Sequence, residues 1–237
     1  MYMEKTIQVK IEVPNQLADI TLDQYQRYFQ ILDKIDKDGE DSEMFINLKA
    51  LEIFCGLELK ESYKLPLSHF DVVLNKIANC LTEETPLIKR FWLRGSNGVE
   101  VEFGMHPDLN NMSFGEYVDI ENYISDWKTM HKAMAVLFRP ITAKVKDFYE
   151  IEEYESASKY EEYMKHMPAS VAIGALVFFY RLGMKLSEHM MDYLLSQGIK
   201  ESELLAGNKS SDKSGDGTSL FMRWLDQMFP SSTKSLN

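Results

Sequence analysis

Histidines, cysteines and crowded carboxylates are the side chains through which this chain could do chemistry, and their spacing argues against it. The five histidines form neither an HExxH motif nor an i,i+4 pair, so no helix carries a ready zinc site. His131 and His189 fall in segments that read as helix, and His106 stands before Pro107 in a connection. Cys55 and Cys80 make no CxxC motif and read as buried thiols suited to a reducing compartment. Asp36, Asp38 and Gly39 resemble part of a calcium loop. Aligning Gly39 with the loop's sixth position, however, puts Lys34 and Phe45 where oxygen ligands belong, so a polar turn is the better reading. Gly215-Asp216-Gly217 is fed by no strand and followed by no Walker lysine, and no GxSxG elbow exists. The glutamates between 150 and 162 face a single Lys159, and on an acidic chain they need only solvent. The expectation is a non-enzymatic protein with no catalytic residue, no metal and no cofactor.

The elements that position these residues are mostly helical. Thr21 with Gln24, and Ser113 with Glu116, form capping boxes, and Ile20/Tyr25 and Met112/Tyr117 supply the matching hydrophobic staples. Leu67-Ser68-His69-Phe70-Asp71 is a looser version of the same start. Periodicity predicts helices near 22–36, 43–56, 69–81, 114–124 and 126–138, the last ended by Pro140, with Trp127, Met130, Met134, Leu137 and Phe138 on its buried face. Residues 149–163 read as a solvated helical face. After Pro168, the stretch from Val171 to Leu195 reads as a central helix, with Gly174 and Gly183 permitting close approach.

The β signal is smaller. Ile7, Val9, Ile11 and Val13 alternate with Gln8, Lys10 and Glu12, predicting a half-buried strand that can pair within its own chain or with a neighbour's. Residues 87–94 and 99–103 flank Asn97-Gly98, a hairpin turn signal. The fold class is therefore mostly α, a compact multi-helix domain over 1–200. Its minor antiparallel β element comprises the N-terminal strand plus the hairpin near 87–104. A linker over 201–219, richest in Gly, Ser and Asp from 207, leads to a tail at 220–237. That tail holds an apolar helical stripe of Phe221, Trp224, Leu225 and Met228, which wants either a partner's groove or its own domain.

Composition narrows the partners. Lys plus Arg number 26 and Asp plus Glu 37, leaving a net charge of −11, so nucleic acid is disfavoured. Lys89, Arg90 and Arg94 form only a small patch, better used against Glu100 and Glu102 across the hairpin. The most apolar run, Met167 to Tyr180, is bracketed by His166 and Arg181 and falls short of the roughly 20 residues of a membrane span. Residues 1–13 lack the basic start and apolar run of a secretion signal. Fourteen methionines and 12% aromatic residues supply adaptable apolar surface for protein contacts.

The stretch MSFGEYVDIENYISDWKTMHKAMAVLFRPI at 112–141, then YEIEEYES, then MPASVAIGALVFFYRLG at 167–183, resembles small proteins of tailed bacteriophages. The resemblance covers about residues 110–195 and, more loosely, the ITLDQYQ start. Such proteins resemble virion-morphogenesis components, including tail-assembly chaperones. The resemblance implies a protein working in the infected host's cytoplasm or incorporated in the particle, with tail or other virion proteins as partners. On this reading Phe138, Arg139, Phe178 and Phe179 frame a groove for an apolar helical client segment, and Phe221, Trp224, Leu225 and Met228 occupy it as a placeholder. Deleting residues 207–237 should then raise client affinity. Arg139 has a structural alternative, as a cation at the negative end of the preceding helix. The alternative for the whole protein is a permanent neck, baseplate or capsid-interior component.

Overall fold

The computed structural model describes residues 11–35, 42–95 and 98–196. Helices α1 (Leu22–Lys34), α2 (Ser42–Cys55), α3 (Leu59–Ser62) and α4 (Leu67–Leu81) are followed by strands β1 (Arg90–Arg94) and β2 (Glu100–Met105). Then come α5 (Phe114–Tyr123), α6 (Met130–Leu137), β3 (Phe138–Val145), β4 (Phe148–Ile151), α7 (Glu161–Met164) and α8 (Ala169–Ser196). The described residues are mostly α with a small antiparallel sheet in the order β1-β2-β3-β4.

Both capping boxes form. Gln24 N–H donates to Thr21 Oγ1 (3.2 Å) while Gln24 Oε1 accepts from the Thr21 amide (2.9 Å). Ser113 and Glu116 repeat this at 3.3 and 2.7 Å. The remaining orphan amides of α1 find the chain entering α8: Leu22 N–H donates to Met167 O and Asp23 N–H to Lys165 O, while Ala169 N–H returns to Ile20 O. At the other end of the helical region Gly56, at φ +67°, closes α2 with paired bonds from Gly56 N to Glu52 O and from Leu57 N to Leu51 O.

Apolar side chains collect in two clusters. The first joins Tyr25, Leu51, Phe54, Val73 and Ile77 of α1, α2 and α4. The second packs Phe91, Leu93, Phe103, Met105 and Phe138, from one face of the sheet, against Met130, Met134 and Leu137 of α6 and Val171, Ala172 and Leu176 of α8. Trp127 and Ile173 touch both clusters, and Trp127 lies 5.0 Å from Tyr25 and 5.4 Å from Phe29 between ring centroids.

Several sequence expectations are corrected. The third start is capped by Pro66, with Ser68 inside α4, because proline's fixed φ suits the position where no amide is needed. Helix α6 is only Met130–Leu137 and is buried at every residue but Lys132, being packed between α5, α7, α1 and the sheet. It passes without a loop into β3, where Pro140 ends helical geometry and takes a strand position. Residues 149–163 are not one helix. Lys146, at φ +56°, turns the chain with Asp147, and Phe148–Ile151 returns as β4 against β3. Tyr149 holds it there: its ring lies where a Cβ on Gly104 would come within 2.5 Å, and its hydroxyl donates to Met105 O (2.7 Å). The sheet thus consists of two hairpins. The predicted strand at 3–13 falls mostly outside the described residues, and Ile11 and Val13 pack on the first cluster without strand pairing.

Candidate functional site

Of the expected groove, Phe138 and Arg139 are strand residues, 0% and 5% exposed. Phe138 sits in the second cluster with Phe91 at 5.4 Å, so it has no surface to offer a client. Phe178 and Phe179, 5.4 Å apart on α8, are half-buried and pack against that same cluster. The four residues therefore share a neighbourhood without framing a groove, since the inward side of β3 fills the space between the sheet and the helices. Phe221, Trp224, Leu225 and Met228 lie outside the described residues, as do Asp36, Asp38, Gly39 and the whole 197–237 segment.

Arg139 instead completes a buried polar cluster. Its Nη1 donates to Glu116 Oε1 (2.5 Å) and to Val136 O (3.2 Å), the latter in the last turn of α6, which is the dipole-end role open to it from sequence. Its guanidinium lies 5.4 Å from the Tyr154 ring, whose hydroxyl bonds Asp119. His106 Nε2 stands 3.7 Å from Glu116 Oε1, and its Nδ1 accepts the Asp108 amide (3.3 Å). Burial alone would raise the Glu116 carboxyl, but the Ser113 hydroxyl and amide and the Arg139 guanidinium outweigh it, leaving the pKa below its ordinary value. Burial pushes His106 the other way, below its usual 6.5, with Glu116 opposing and Arg139 reinforcing the shift. Glu116 is an ionised carboxylate whose two oxygens are held by Arg139 and Ser113, so its chemistry is spent fastening α5 to β3. Among the described residues, no group of three or more His, Cys, Asp or Glu is placed to hold a metal.

The outward face of the sheet is the better candidate. Strand β1 alternates: Phe91 and Leu93 point into the second cluster, while Arg90, Trp92 and Arg94 point away. Register sets Trp92 opposite Glu102 and Arg94 opposite Glu100. Arg94 Nη2 reaches Glu100 Oε1 (3.0 Å), and Glu102 accepts from Lys144 Nζ (3.0 and 3.1 Å), with Arg90 Nη1 at ion-pair distance (3.9 Å) and without a hydrogen bond. Between them lies an open depression of about 390 Å³ lined by Trp92, Glu100, Val101, Glu102, Ile141, Thr142, Ala143 and Lys144. Trp92 is 60% exposed. The antiparallel register brings both hairpin turns to one end of the sheet, where Val99, Val145 and Phe148 are exposed, Phe148 at 83%.

No family model matches this chain, and no curated protein or solved structure is detectably similar to it.

The face was half legible in the sequence. Alternation through Arg90-Phe91-Trp92-Leu93-Arg94 places Trp92 among the charges, a position an indole takes at a cost unless something covers it. Ile141 and Lys144 carried no such signal, because their strand was hidden by the preceding helical pattern. No helix among the described residues is long and apolar enough to cross a membrane.

Proposed function

We propose that this protein is a non-enzymatic assembly factor of a tailed bacteriophage, of the tail-assembly-chaperone kind, which binds an apolar helical segment of a virion protein. The observation that supports it is the outward face of the sheet around Trp92. A sheet buries one face against helices and can accept a further helix on the other, and this face combines an exposed indole, Ile141 and Ala143 with charges already paired within the chain. Binding there would add apolar contact without stranding a buried charge. The order of motifs from Ser113 to the 167–183 stretch, which resembles phage morphogenesis proteins, supports the same reading.

Mass spectrometry of purified particles and of infected-cell lysate tests it. The expected result is a protein present in lysate and absent from particles. Stoichiometric presence in particles makes it a permanent component and overturns the chaperone reading. The Trp92→Asp variant, whose change falls on an exposed side chain, should fold normally and yet fail to support particle assembly; full particle yield would remove the sheet face from the proposal.

A further inference from the structure

Strand β1 is one edge of the sheet. Its ladder to β2 is prolonged at both ends, where Met105 N–H donates to Lys89 O (2.8 Å) and Gly95 N–H to Val99 O (2.8 Å). Those two bonds fix the phase of the strand. Lys89, Phe91, Leu93 and Gly95 exchange hydrogen bonds with β2, so Arg90, Trp92 and Arg94 turn their amides and carbonyls the other way. Among the described residues no backbone group pairs with that outer row. Such a row is a template for one more strand.

The side chains along the row define what that strand must carry. Arg90, Trp92 and Arg94 share the outward face, and residues directly opposite them in an added antiparallel strand stand on the same face. Around the open depression Arg90, Arg94 and Lys144 outnumber Glu100 and Glu102, and Arg90 Nη1 has no hydrogen-bond partner. At physiological ionic strength the Debye length is about 8 Å, so these charges, and not the chain's net −11, govern what settles on the edge. Carboxylates at the two ends of an added strand would lie against Arg90 and Arg94. An apolar residue between them would cover the Trp92 indole, which is 60% exposed.

A second copy of this chain fits poorly. Pairing the whole of β1 with another β1 sets Arg90 opposite the other copy's Arg94. The far edge, β4, holds one acid, Glu150, on the wrong face: Tyr149 lies over Gly104 on the outward side, so Glu150 points away from it. We propose that the β1 edge takes up an extended segment of a different protein as an antiparallel strand with the pattern acid–x–apolar–x–acid, its acids opposite Arg90 and Arg94. The inference concerns the edge of the sheet and stands whether or not a helical client is held on its face.

Calorimetry of the full chain with the capped peptide Thr-Glu-Val-Tyr-Val-Glu-Thr tests it. The peptide should bind with a Kd below about 1 mM, and about tenfold more weakly once both of its glutamates are lysines. N-methylating the tyrosine amide, which faces β1, should also cost about tenfold, whereas N-methylating the first valine amide, which faces away, should leave affinity within about twofold. Arg94→Ser, at an exposed side chain, should narrow the preference for the acidic peptide with circular dichroism unchanged. Equal losses for the two N-methyl peptides would put the peptide on the sheet face, overturning the edge assignment and leaving the sheet-face reading standing. Absence of binding at millimolar peptide, or equal affinity for the acidic and lysine peptides, would also overturn the proposal, and Arg90 and Arg94 would then be charges that guard the edge against pairing.

Discussion

The starts of α1 and α5 are built from nearly the same six residues, yet they fasten the protein in different ways. In Ile20-Thr21-Leu22-Asp23-Gln24-Tyr25 the third helical residue is neutral, and beyond its capping bond Gln24 Nε2 donates to Ile53 O (2.9 Å), tying α1 to α2 by one amide–carbonyl bond. In Met112-Ser113-Phe114-Gly115-Glu116-Tyr117 the same position is an acid, and it recruits Arg139 from β3, with His106 close by. A neutral bond of the first kind contributes about 1 kcal/mol net and is cheap to lose. A buried ion pair adds little net stability over an apolar replacement, but removing one member leaves the other charge stranded. A single carboxylate in place of an amide thus turns a local cap into a point of failure for the whole sheet–helix seam.

Arg139→Met should break that seam most severely, destabilising the protein by about 3–5 kcal/mol in urea unfolding because Glu116 is left buried and unpaired. Adding Glu116→Gln to it should recover part of the loss, since both charges are then gone. If the double variant is no more stable than the single one, the cost lies in lost packing and not in the stranded charge. Next in size is Gln24→Glu, which makes the first start imitate the second without supplying a cation. It removes the donor to Ile53 O and sets a carboxylate against a carbonyl, a loss of about 1–3 kcal/mol. The contrast fails if Gln24→Glu costs as much as Arg139→Met.

Both starts were legible in the sequence because a capping box is local: four residues contain all its partners. What they tie to was not legible. Ile53 is 29 positions from Gln24, and Arg139 is 23 from Glu116, so each tie depends on packing that no short window contains. The same limit explains the hairpin errors. Asn97-Gly98 announced the β1–β2 hairpin through residues that tolerate positive φ, whereas the β3–β4 turn uses Lys146, a residue with no such preference. The alternation in β1 was readable, but Phe138 continued the helical spacing of Met130, Met134 and Leu137, so the first strand residue was read as the end of a helix. Phe138 was correctly read as buried, yet the groove assigned to it needed an open side that β3 does not leave.

The hydroxyls of the two caps offer a finer version of the comparison. Thr21→Ala and Ser113→Ala should each cost about 1 kcal/mol, within a range of roughly 0.5–2, measured as shifts in the urea midpoint at constant slope. Ser113→Ala should be the larger, because the Ser113 hydroxyl also helps hold the Glu116 carboxyl ionised, while Gln24 carries no charge to hold. Equal losses would mean that the charge at Glu116 is secured by Arg139 and the Ser113 amide without help from the hydroxyl.

The smallest expected effect comes from the histidine beside the capping acid, which only the second start has. His106 in the folded protein has its pKa below the usual 6.5, so the unfolded chain takes up this proton first as the pH falls. The stability that His106 contributes is complete above 6.5 and is lost as the pH drops from there through the folded value. Glu116, held below its ordinary 4.5, adds a second loss of the same sign further into acid. His131, lowered chiefly by burial beside Gln26 of α1, acts in the same direction as His106 and would blur the first step. His106→Gln, which keeps a polar side chain there without a titrating ring, should therefore flatten only part of the decline below pH 6.5 in urea midpoints taken against pH. The slope that remains nearest 6.5 belongs to His131, and that further into acid to Glu116 and the other lowered carboxylates, Asp19, Glu152 and Glu162; a His106→Gln profile that overlays the parent would transfer the whole first step to His131.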